Sequence, residues 1–314
     1  MTKLPRLNGI NEYKQDMRIM HDVDMSRMSW SGAGGIAKLI CIPSNMEALS
    51  YFIQNMVSDC RVIIVGAGSN MIFRDYGCDI PVIRLGRNFR DITYDNDTGL
   101  ITAGGADQSI AVAQFAASLG RTGLEFLSCI PGTTGGGVCM NAGCFGVEYK
   151  DVVHSIEVMD YQGNYKVLNS ADIEYIYRGS SIRNRYCVLS VSFISKSSTV
   201  KYVTGSMNIL KKRKYEGQPT ECKTCGSTFK NPYIATSGCM GRAWEYIAAA
   251  GCRGARVGDA KMSEKHCNFM INVGKATADD FETLGEHVRD SVYMHSGITL
   301  EWEIIFEGKR ICKQ

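Results

Sequence analysis

Hydrophobic positions along this chain switch between a helical and a strand rhythm. Leu49, Phe52, Ile53 and Met56 share one face of a 3.6-residue repeat. Ser44-Asn45-Met46-Glu47, just after Pro43, has the S-x-x-E spacing of a capping box that opens such a helix. Arg61-Val62-Ile63-Ile64-Val65 reads as a buried strand running directly into Gly66-Ala67-Gly68-Ser69-Asn70. Two hairpins are predicted, one turning at Asn96-Asp97-Thr98-Gly99 and one at Gln162-Gly163-Asn164. A helix over Gln108 to Leu119 stops at Gly120, a natural residue for the left-handed position after a helix. Tyr186 to Ile194 is a strand. The stretch from Gly123 to Gly146 is dense in glycine and has little periodicity, so it is expected as a functional loop of extended backbone.

Beyond Met207 the texture changes. The basic run Lys211-Lys212-Arg213-Lys214 precedes a turn at Gly217-Gln218-Pro219. One helix spans Gly241 to Ala250. Another spans Asp279 to His295, with Phe281, Leu284, Val288 and Val292 in register and Gly297 at its end. A last strand alternates: Ile298, Leu300, Trp302, Ile304 and Phe306 on one side, Thr299, Glu301, Glu303 and Glu307 on the other. The expected fold class is α/β, or α+β in a looser scheme. Two domains are expected, 1–200 (with subdomains of about 20–88 and 89–200) and 201–314, in keeping with roughly 150 residues per domain. No internal repeat is visible.

Composition narrows the reading. Lys and Arg number 35 against 32 Asp and Glu, a net charge of +3, which gives no support to a nucleic-acid or membrane-surface role. The first residues, MTKLPRLNGINEYKQ, lack the apolar segment of a secretory signal, and no apolar run approaches the ~20 residues of a membrane span. The 13 cysteines, an odd number, make a poor disulfide framework. A cytoplasmic protein with reduced thiols is expected. The 33 glycines against 6 prolines, without a collagen period or Gly/Ser linker, must serve folded segments.

The first glycine cluster follows a strand, where backbone N–H groups can cradle a pyrophosphate. A dinucleotide-binding Rossmann fingerprint needs a third glycine at position 71, and Met71 stands there, so that reading fails. The cluster is then either an anion loop or a plain tight turn. The second, Ile130-Pro131-Gly132-Thr133-Thr134-Gly135-Gly136-Gly137-Val138-Cys139-Met140-Asn141-Ala142-Gly143-Cys144-Phe145-Gly146, has more glycine than a turn requires and suggests bare backbone against a large flat ligand. Cys222-Lys223-Thr224-Cys225 invites a zinc or a redox reading. Zinc needs a second pair, and Cys239, Cys252, Cys267 and His266 are irregularly spaced. A thioredoxin-like motif needs a helix directly after it, where strand-like Gly-Ser-Thr-Phe follows. Chance cysteines are the simpler reading, and no metal is expected. The run Lys211 to Lys214 is a solvated helix face or a contact for a diphosphate.

Taken together, VGAGSNMIFRD, GLEFLSCIPGTTGGGVCMNAGCFG, YRGSS, GSTFKNP and SEKHCNFMIN resemble the UDP-N-acetylenolpyruvoylglucosamine reductase family, in the family's order and from about Trp30 to Gly308. The resemblance implies a vanillyl-alcohol-oxidase-type FAD fold of two subdomains followed by an α+β substrate-binding domain. It implies non-covalent FAD, with NADPH as reductant and UDP-N-acetylglucosamine enolpyruvate as substrate, reduced to UDP-N-acetylmuramate for peptidoglycan. FAD-binding positions implied are Val65, Gly66, Ala67, Gly68, Ser69 and Asn70 at the pyrophosphate, and Ile130, Pro131, Gly132, Gly135, Gly136, Asn141, Gly143 and Gly146 beside the flavin. With no inserted segment after Ser180, the chain resembles the shorter type that lacks an extra tyrosine loop.

Site roles follow from the same resemblance. Arg178 matches the family's carboxylate-binding arginine, a task suited to a planar fork of donors. Ser227 matches its general acid. Lys230, Asn231 and His266 match substrate-binding positions, with His266 a positioning residue at most. Alternation alone leaves Glu301, Glu303 and Glu307 equivalent, and the family pattern L-E-x-E selects Glu303. The implied reaction delivers a hydride to the vinylic carbon, with Arg178 and Glu303 steadying the enolate and Ser227 giving the proton. No nucleic-acid, membrane or obligatory protein partner is expected. The rivals are another flavin oxidoreductase of this fold and a zinc-binding interaction module built on Cys222 and Cys225.

Overall fold

The computed structural model describes residues 15–56, 61–234 and 237–310. The reading of the amino terminus rests on residues that lie almost wholly outside this range. The chain forms two compact units, one from residues 1–21, 39–67 and 80–214, the other from residues 22–38, 68–79 and 215–314.

The first unit has two cores. In one, Ile36–Pro43 and Ile63–Ile64 both pair in parallel with Val82–Ile83. Helix α1 (Met46–Met56) covers them, with Ala48, Leu49, Phe52 and Ile53 buried among Leu39, Cys41, Val62 and Ile83, as the periodicity predicts. The side chain of Met56 lies outside the described residues. The cap differs from expectation. Asn45, not Ser44, opens the helix: its Oδ1 accepts the Ala48 N–H at 2.8 Å. The Ser44 N–H donates to the Asp16 carbonyl at 2.7 Å, which keeps Ser44 in the extended segment.

The second core lies on a five-stranded antiparallel sheet, ordered Tyr165–Asn169, Val153–Asp160, Tyr186–Ile194, Leu100–Gly104, Ile92–Tyr94. Both hairpins appear, with Gly99 and Gly163 in the left-handed region their turns demand. Helix α2 (Ser109–Ser118) buries Val112, Ala113, Ala116 and Ala117 and ends before Gly120 at φ +64°.

The glycine-rich stretch is not extended throughout. It holds a 3-10 turn, Glu125–Cys129, and a short helix α3 (Thr134–Cys139). Helix propensity argues against α3, since each interior glycine costs roughly 0.5–1 kcal/mol relative to alanine. Close packing is the reason it forms. A Cβ on Gly137 would sit 2.1 Å from Cζ of Tyr149, and one on Gly135 would sit 3.1 Å from the Gly105 carbonyl oxygen. Tyr149 is fully buried and its hydroxyl hydrogen-bonds to Ser109 Oγ at 2.7 Å. At position 137 only a residue without a side chain fits over that ring.

Helix α4 (Val200–Gly217) carries the basic run and sends Val203 and Met207 into the second core. Lys212 and Arg213 are exposed, as a solvated face requires, but Lys214 is half-buried and its Nζ donates to the Cys129 carbonyl at 2.5 Å.

In the second unit an antiparallel sheet runs Lys223–Ser227, Phe269–Asn272, Ala260–Met262, Arg256–Val257. Helices α5 (Ala243–Ala249) and α6 (Ala278–Ser296) supply the rest of its core. In α6, Phe281, Leu284, Val288 and Val292 are all fully buried, Thr277 and Asp280 form a capping box, and Gly297 stands at φ +70°. The expected long last strand is shorter. Only Ile305–Glu307 is a strand, paired in parallel with Met71–Phe73, after an isolated bridge between Trp302 and Phe229. A bend at Ile304 shifts the alternation, so that Ile304 and Glu307 are both buried while Glu301 is exposed.

Gly137→Ala tests the packing account of α3. It should lower stability by about 1–3 kcal/mol through overpacking, measured by thermal or urea unfolding. Unchanged stability would show that the ring yields and that the glycine run has another cause.

Candidate functional site

The glycines of the two clusters separate by what a side chain would meet. A Cβ on Gly66 would lie 2.4 Å from Thr133 Oγ1, and one on Gly68 would lie 1.9 Å from the Met28 carbonyl oxygen. These residues are bare because the chain packs on itself. Gly143 is similar, facing the Val147 carbonyl at 2.6 Å. Gly136 meets only Thr133 Oγ1, at 3.4 Å, and Gly146, at φ +87°, faces open space. Those two leave bare backbone for a ligand, and the positive φ of Gly132 (+105°) and Gly146 restricts both to glycine.

Thr133 organises this segment. Its Oγ1 accepts the Gly136 N–H at 3.3 Å as the cap of α3. Thr134 Oγ1 donates to the Gly104 carbonyl at 2.6 Å, and the Ser109 N–H donates to the Gly132 carbonyl at 3.1 Å. Ile130 is buried. At the other end Asn141 is fully buried at φ +40°. Its Nδ2 donates to Glu148 Oε2 at 2.9 Å and to the Ile176 carbonyl at 3.2 Å, and its Oδ1 accepts the Lys150 N–H at 3.1 Å. So Asn141, expected as a flavin-side residue, also ties the glycine-rich segment to the Tyr-Arg hairpin. Burial pushes the Cys139 thiol up to about 12, which leaves it inert.

That hairpin pairs Tyr175–Ile176 with Gly179–Ser180 and has Tyr177 and Arg178 as its two turn residues. Ser180 Oγ donates to the carbonyls of Val138 and Cys139 at 3.0 and 3.1 Å, at the C-terminal end of α3. Arg178 itself stands at φ +58°. An L-residue pays about 1–2 kcal/mol for that conformation, and glycine or asparagine usually fills such a turn position. The guanidinium carbon lies 5.1 Å from the Tyr177 ring centroid. A side chain kept at a strained turn tip is an observed outlier that points to function.

In the second unit the strand Lys223–Ser227 is irregular. Thr224 pairs with Ile271 and Ser227 with Phe269, so Cys225 and Gly226 together oppose Met270. This is a β-bulge, and Gly226 at φ +81° is its left-handed residue. The bulge re-aims the strand just before Ser227. Cys225 points into the core, 3.6 Å from Ser29 Oγ, while Cys222 is exposed. Among the described residues no three His, Cys, Asp or Glu side chains are grouped to hold a metal ion.

Glu303 lies on the segment alongside. Its N–H donates to the Thr228 carbonyl at 2.9 Å, and its carbonyl accepts Asn70 Nδ2 at 3.0 Å. These bonds set Asn70 and the main chain of Glu303 beside Thr228, the residue after Ser227, within this unit. The other expected positions have local tasks. Lys230 Nζ pairs with the exposed Glu301 at 3.2 Å. Asn231 Oδ1 accepts the Ala243 N–H at 3.0 Å at the start of α5. His266 lies between the rings of Phe269 and Trp244, 4.9 and 6.4 Å away, and its buried Nδ1 has no partner among the described residues. Burial lowers its pKa below the usual 6.5 and favours neutral imidazole. Sequence reasoning passes over Asn268, which is buried and bonds Phe229 through both ends of its amide. The signal was available: an amide side chain between Cys267 and Phe269, in a run that otherwise enters the core.

Comparison with known proteins bears on these arrangements. Residues 37–169 match a model of an FAD binding domain, and residues 218–306 match that of the UDP-N-acetylenolpyruvoylglucosamine reductase C-terminal domain. A reductase of that name from Orientia tsutsugamushi (strain Ikeda) is 38% identical over 98% of this chain and 97% of its own length. One from Bradyrhizobium sp. (strain ORS 278) is 41% identical over 91% of each. The crystal structure of UDP-N-acetylenolpyruvylglucosamine reductase from Thermus caldophilus superposes with a TM-score of 0.78 at 30% identity, covering 92% of this chain and 99% of that one.

Depression of the His266 pKa by burial makes stability depend on pH. Between the folded value and the unfolded 6.5, the unfolded chain binds the extra proton. The stability from neutral His266 is complete above pH 6.5 and is lost as pH falls towards the folded value. The unfolding midpoint of the wild type should drop more steeply below pH 6.5 than that of His266→Gln. Parallel pH profiles would contradict this.

Proposed function

Because this chain belongs to the UDP-N-acetylenolpyruvoylglucosamine reductase family, we propose that Arg178, Ser227 and Glu303 complete its reaction. The chain is an oxidoreductase that uses FAD and NADPH to reduce UDP-N-acetylglucosamine enolpyruvate to UDP-N-acetylmuramate in peptidoglycan precursor synthesis. Its fold is that of the family, a vanillyl-alcohol-oxidase-type FAD-binding region followed by an α+β region.

The residues fit the cofactor. Gly136 and Gly146 offer backbone with space where a Cβ would stand, as a flat ring system requires. In this reading Val65, Gly66, Ala67, Gly68, Ser69 and Asn70 hold the pyrophosphate side, and Ile130, Pro131, Gly132, Gly135, Gly136, Asn141, Gly143 and Gly146 hold the flavin side. The chemistry that bound FAD supplies is hydride transfer, from NADPH to the terminal vinylic carbon of the enolpyruvyl group.

The protein's own residues manage charge and proton. Arg178 holds the substrate carboxylate, on which negative charge grows as the enolate forms. Its fork of donors matches the two oxygens and is worth most where water is excluded. Ser227 delivers its hydroxyl proton to the carbon bearing the ether oxygen, which completes the lactyl ether. Serine is a weak acid, so the step depends on fixed geometry. Glu303 is the second group set beside the enolate, which it steadies together with Arg178. Lys230, Asn231 and His266 line the substrate, with His266 neutral. The observation that supports this reading best is the Thr228 carbonyl bond to the Glu303 N–H, which sets Ser227 and Glu303 on neighbouring segments. The protein is proposed to act in the cytoplasm without nucleic acid, membrane or an obligatory protein partner. The net charge of +3 fits that proposal, and no helix among the described residues is long and apolar enough to cross a membrane.

Two variants test the roles. Ser227→Ala should leave flavin reduction by NADPH intact and slow reoxidation by the enolpyruvyl sugar nucleotide by about 10²–10⁴-fold in stopped-flow absorbance. An equal fall in both half-reactions would refute the assignment. Arg178→Lys keeps the charge but loses the fork, so most turnover should disappear; near wild-type activity would count against a bidentate clamp.

A further inference from the structure

Ser227 and Glu303 come from segments 76 positions apart in sequence, and what fixes them is the peptide backbone of Thr228 and Phe229. One edge of that backbone is held by the last segment of the chain. The Thr228 carbonyl accepts the N–H groups of Glu303 and Ile304 at 2.9 and 3.4 Å, and the Lys230 N–H donates to the Glu301 carbonyl at 2.9 Å. The other edge loses its strand partner, because regular pairing with Phe269–Asn272 ends at the Ser227–Phe269 pair.

Asn268 takes over at that point. Its main-chain carbonyl accepts the Thr228 N–H at 2.7 Å. Its side chain then imitates one more strand residue: Oδ1 accepts the Phe229 N–H at 3.0 Å, and Nδ2 donates to the Phe229 carbonyl at 2.8 Å. Asn268 is 4% exposed and Phe229 is 1% exposed, so water does not substitute for these bonds. Thr228, fully buried, adds a fourth tie, its Oγ1 accepting the Met270 N–H at 3.1 Å.

We infer that Asn268 is a positioning residue for the proton-donating step: its amide clamps Phe229 and so fixes Ser227 against the segment that carries Glu303. An asparagine amide offers an acceptor and a donor to the same residue's main chain. Aspartate keeps the size and the acceptor but turns a second oxygen towards the Phe229 carbonyl. Leucine keeps bulk and loses both bonds. The inference rests on the proposed role of Ser227, so the test carries Ser227→Ala alongside.

The experiment uses FAD-loaded protein and separates the half-reactions. In Asn268→Asp, reduction by NADPH should stay within about 3-fold of wild type. Reoxidation at saturating UDP-N-acetylglucosamine enolpyruvate should fall by about 100-fold, the scale of a 1 Å misplacement, with substrate affinity unchanged. Hydrogen exchange provides a readout independent of turnover: the Phe229 amide should be protected in the wild type and exchange faster in the variant. Thr228→Val, which removes only the acceptor for the Met270 N–H, is a second and milder variant and should show the same split.

Reoxidation at the wild-type rate in folded Asn268→Asp, or an equal loss in both half-reactions, would overturn the inference. So would loss of bound FAD in both variants, because Asn268 would then be a folding element. Fast reoxidation in Ser227→Ala would instead refute the role of Ser227, which makes the two failures distinguishable.

Discussion

The Thr228 carbonyl accepts the Glu303 N–H at 2.9 Å, and much of the second unit is arranged around that bond. It joins the strand leaving the sheet to the final segment of the chain. Gly226, at φ +81°, turns the strand towards it through a bulge. Asn70, in the first glycine cluster, holds the Glu303 carbonyl, and its own carbonyl accepts the Ile305 N–H at 3.1 Å. Phe229 and Trp302, each next in sequence to one partner of that bond, pack their rings with centroids 4.9 Å apart. In the role proposed for Ser227, a weak acid such as a serine hydroxyl needs this rigidity more than a histidine or a carboxylic acid would, because alignment has to compensate for driving force.

In the first unit the constraint is close approach of backbone. Glycine is needed at 137 so that α3 can lie over Tyr149, at 135 so that it can approach the Gly105 carbonyl, and at 66 so that the strand end can pass Thr133. The helix so placed receives Ser180 at its last carbonyls, and Asn141 just beyond it holds the Ile176 carbonyl. Both anchors fix the hairpin that keeps Arg178 in the left-handed region. The local cost of about 1–2 kcal/mol is borne by the surrounding packing, and it puts a guanidinium at the tip of the hairpin.

The parts of this architecture legible in sequence are those decided locally. Repeat spacing and terminal glycines were enough for α2 and α6, and strand composition with turn residues was enough for both hairpins and for Tyr186–Ile194. What escaped was set by distant partners. The helix α3 depends on a tyrosine that follows it and on a neighbouring strand, against its own propensity. The choice of Asn45 over Ser44 depends on Asp16, since both are good caps. The bend at Ile304 ends an alternation that sequence would continue. In the site, motif likeness pointed to Ser227, Arg178 and Glu303, while Asn268 showed only as an amide in a run that otherwise enters the core, since its partners are main-chain atoms that carry no residue signature.

The central claim is that one chain takes a hydride from NADPH and gives it, with a proton from its own side chain, to an enolpyruvyl sugar nucleotide. The most direct measurement is anaerobic absorbance of the purified, FAD-loaded protein through one cycle. Addition of NADPH should bleach the flavin, and colour should return only when UDP-N-acetylglucosamine enolpyruvate is added, with UDP-N-acetylmuramate formed in equal amount. Failure of that substrate to restore the colour, or equal recolouring by the sugar nucleotide without its enolpyruvyl group, would contradict the account.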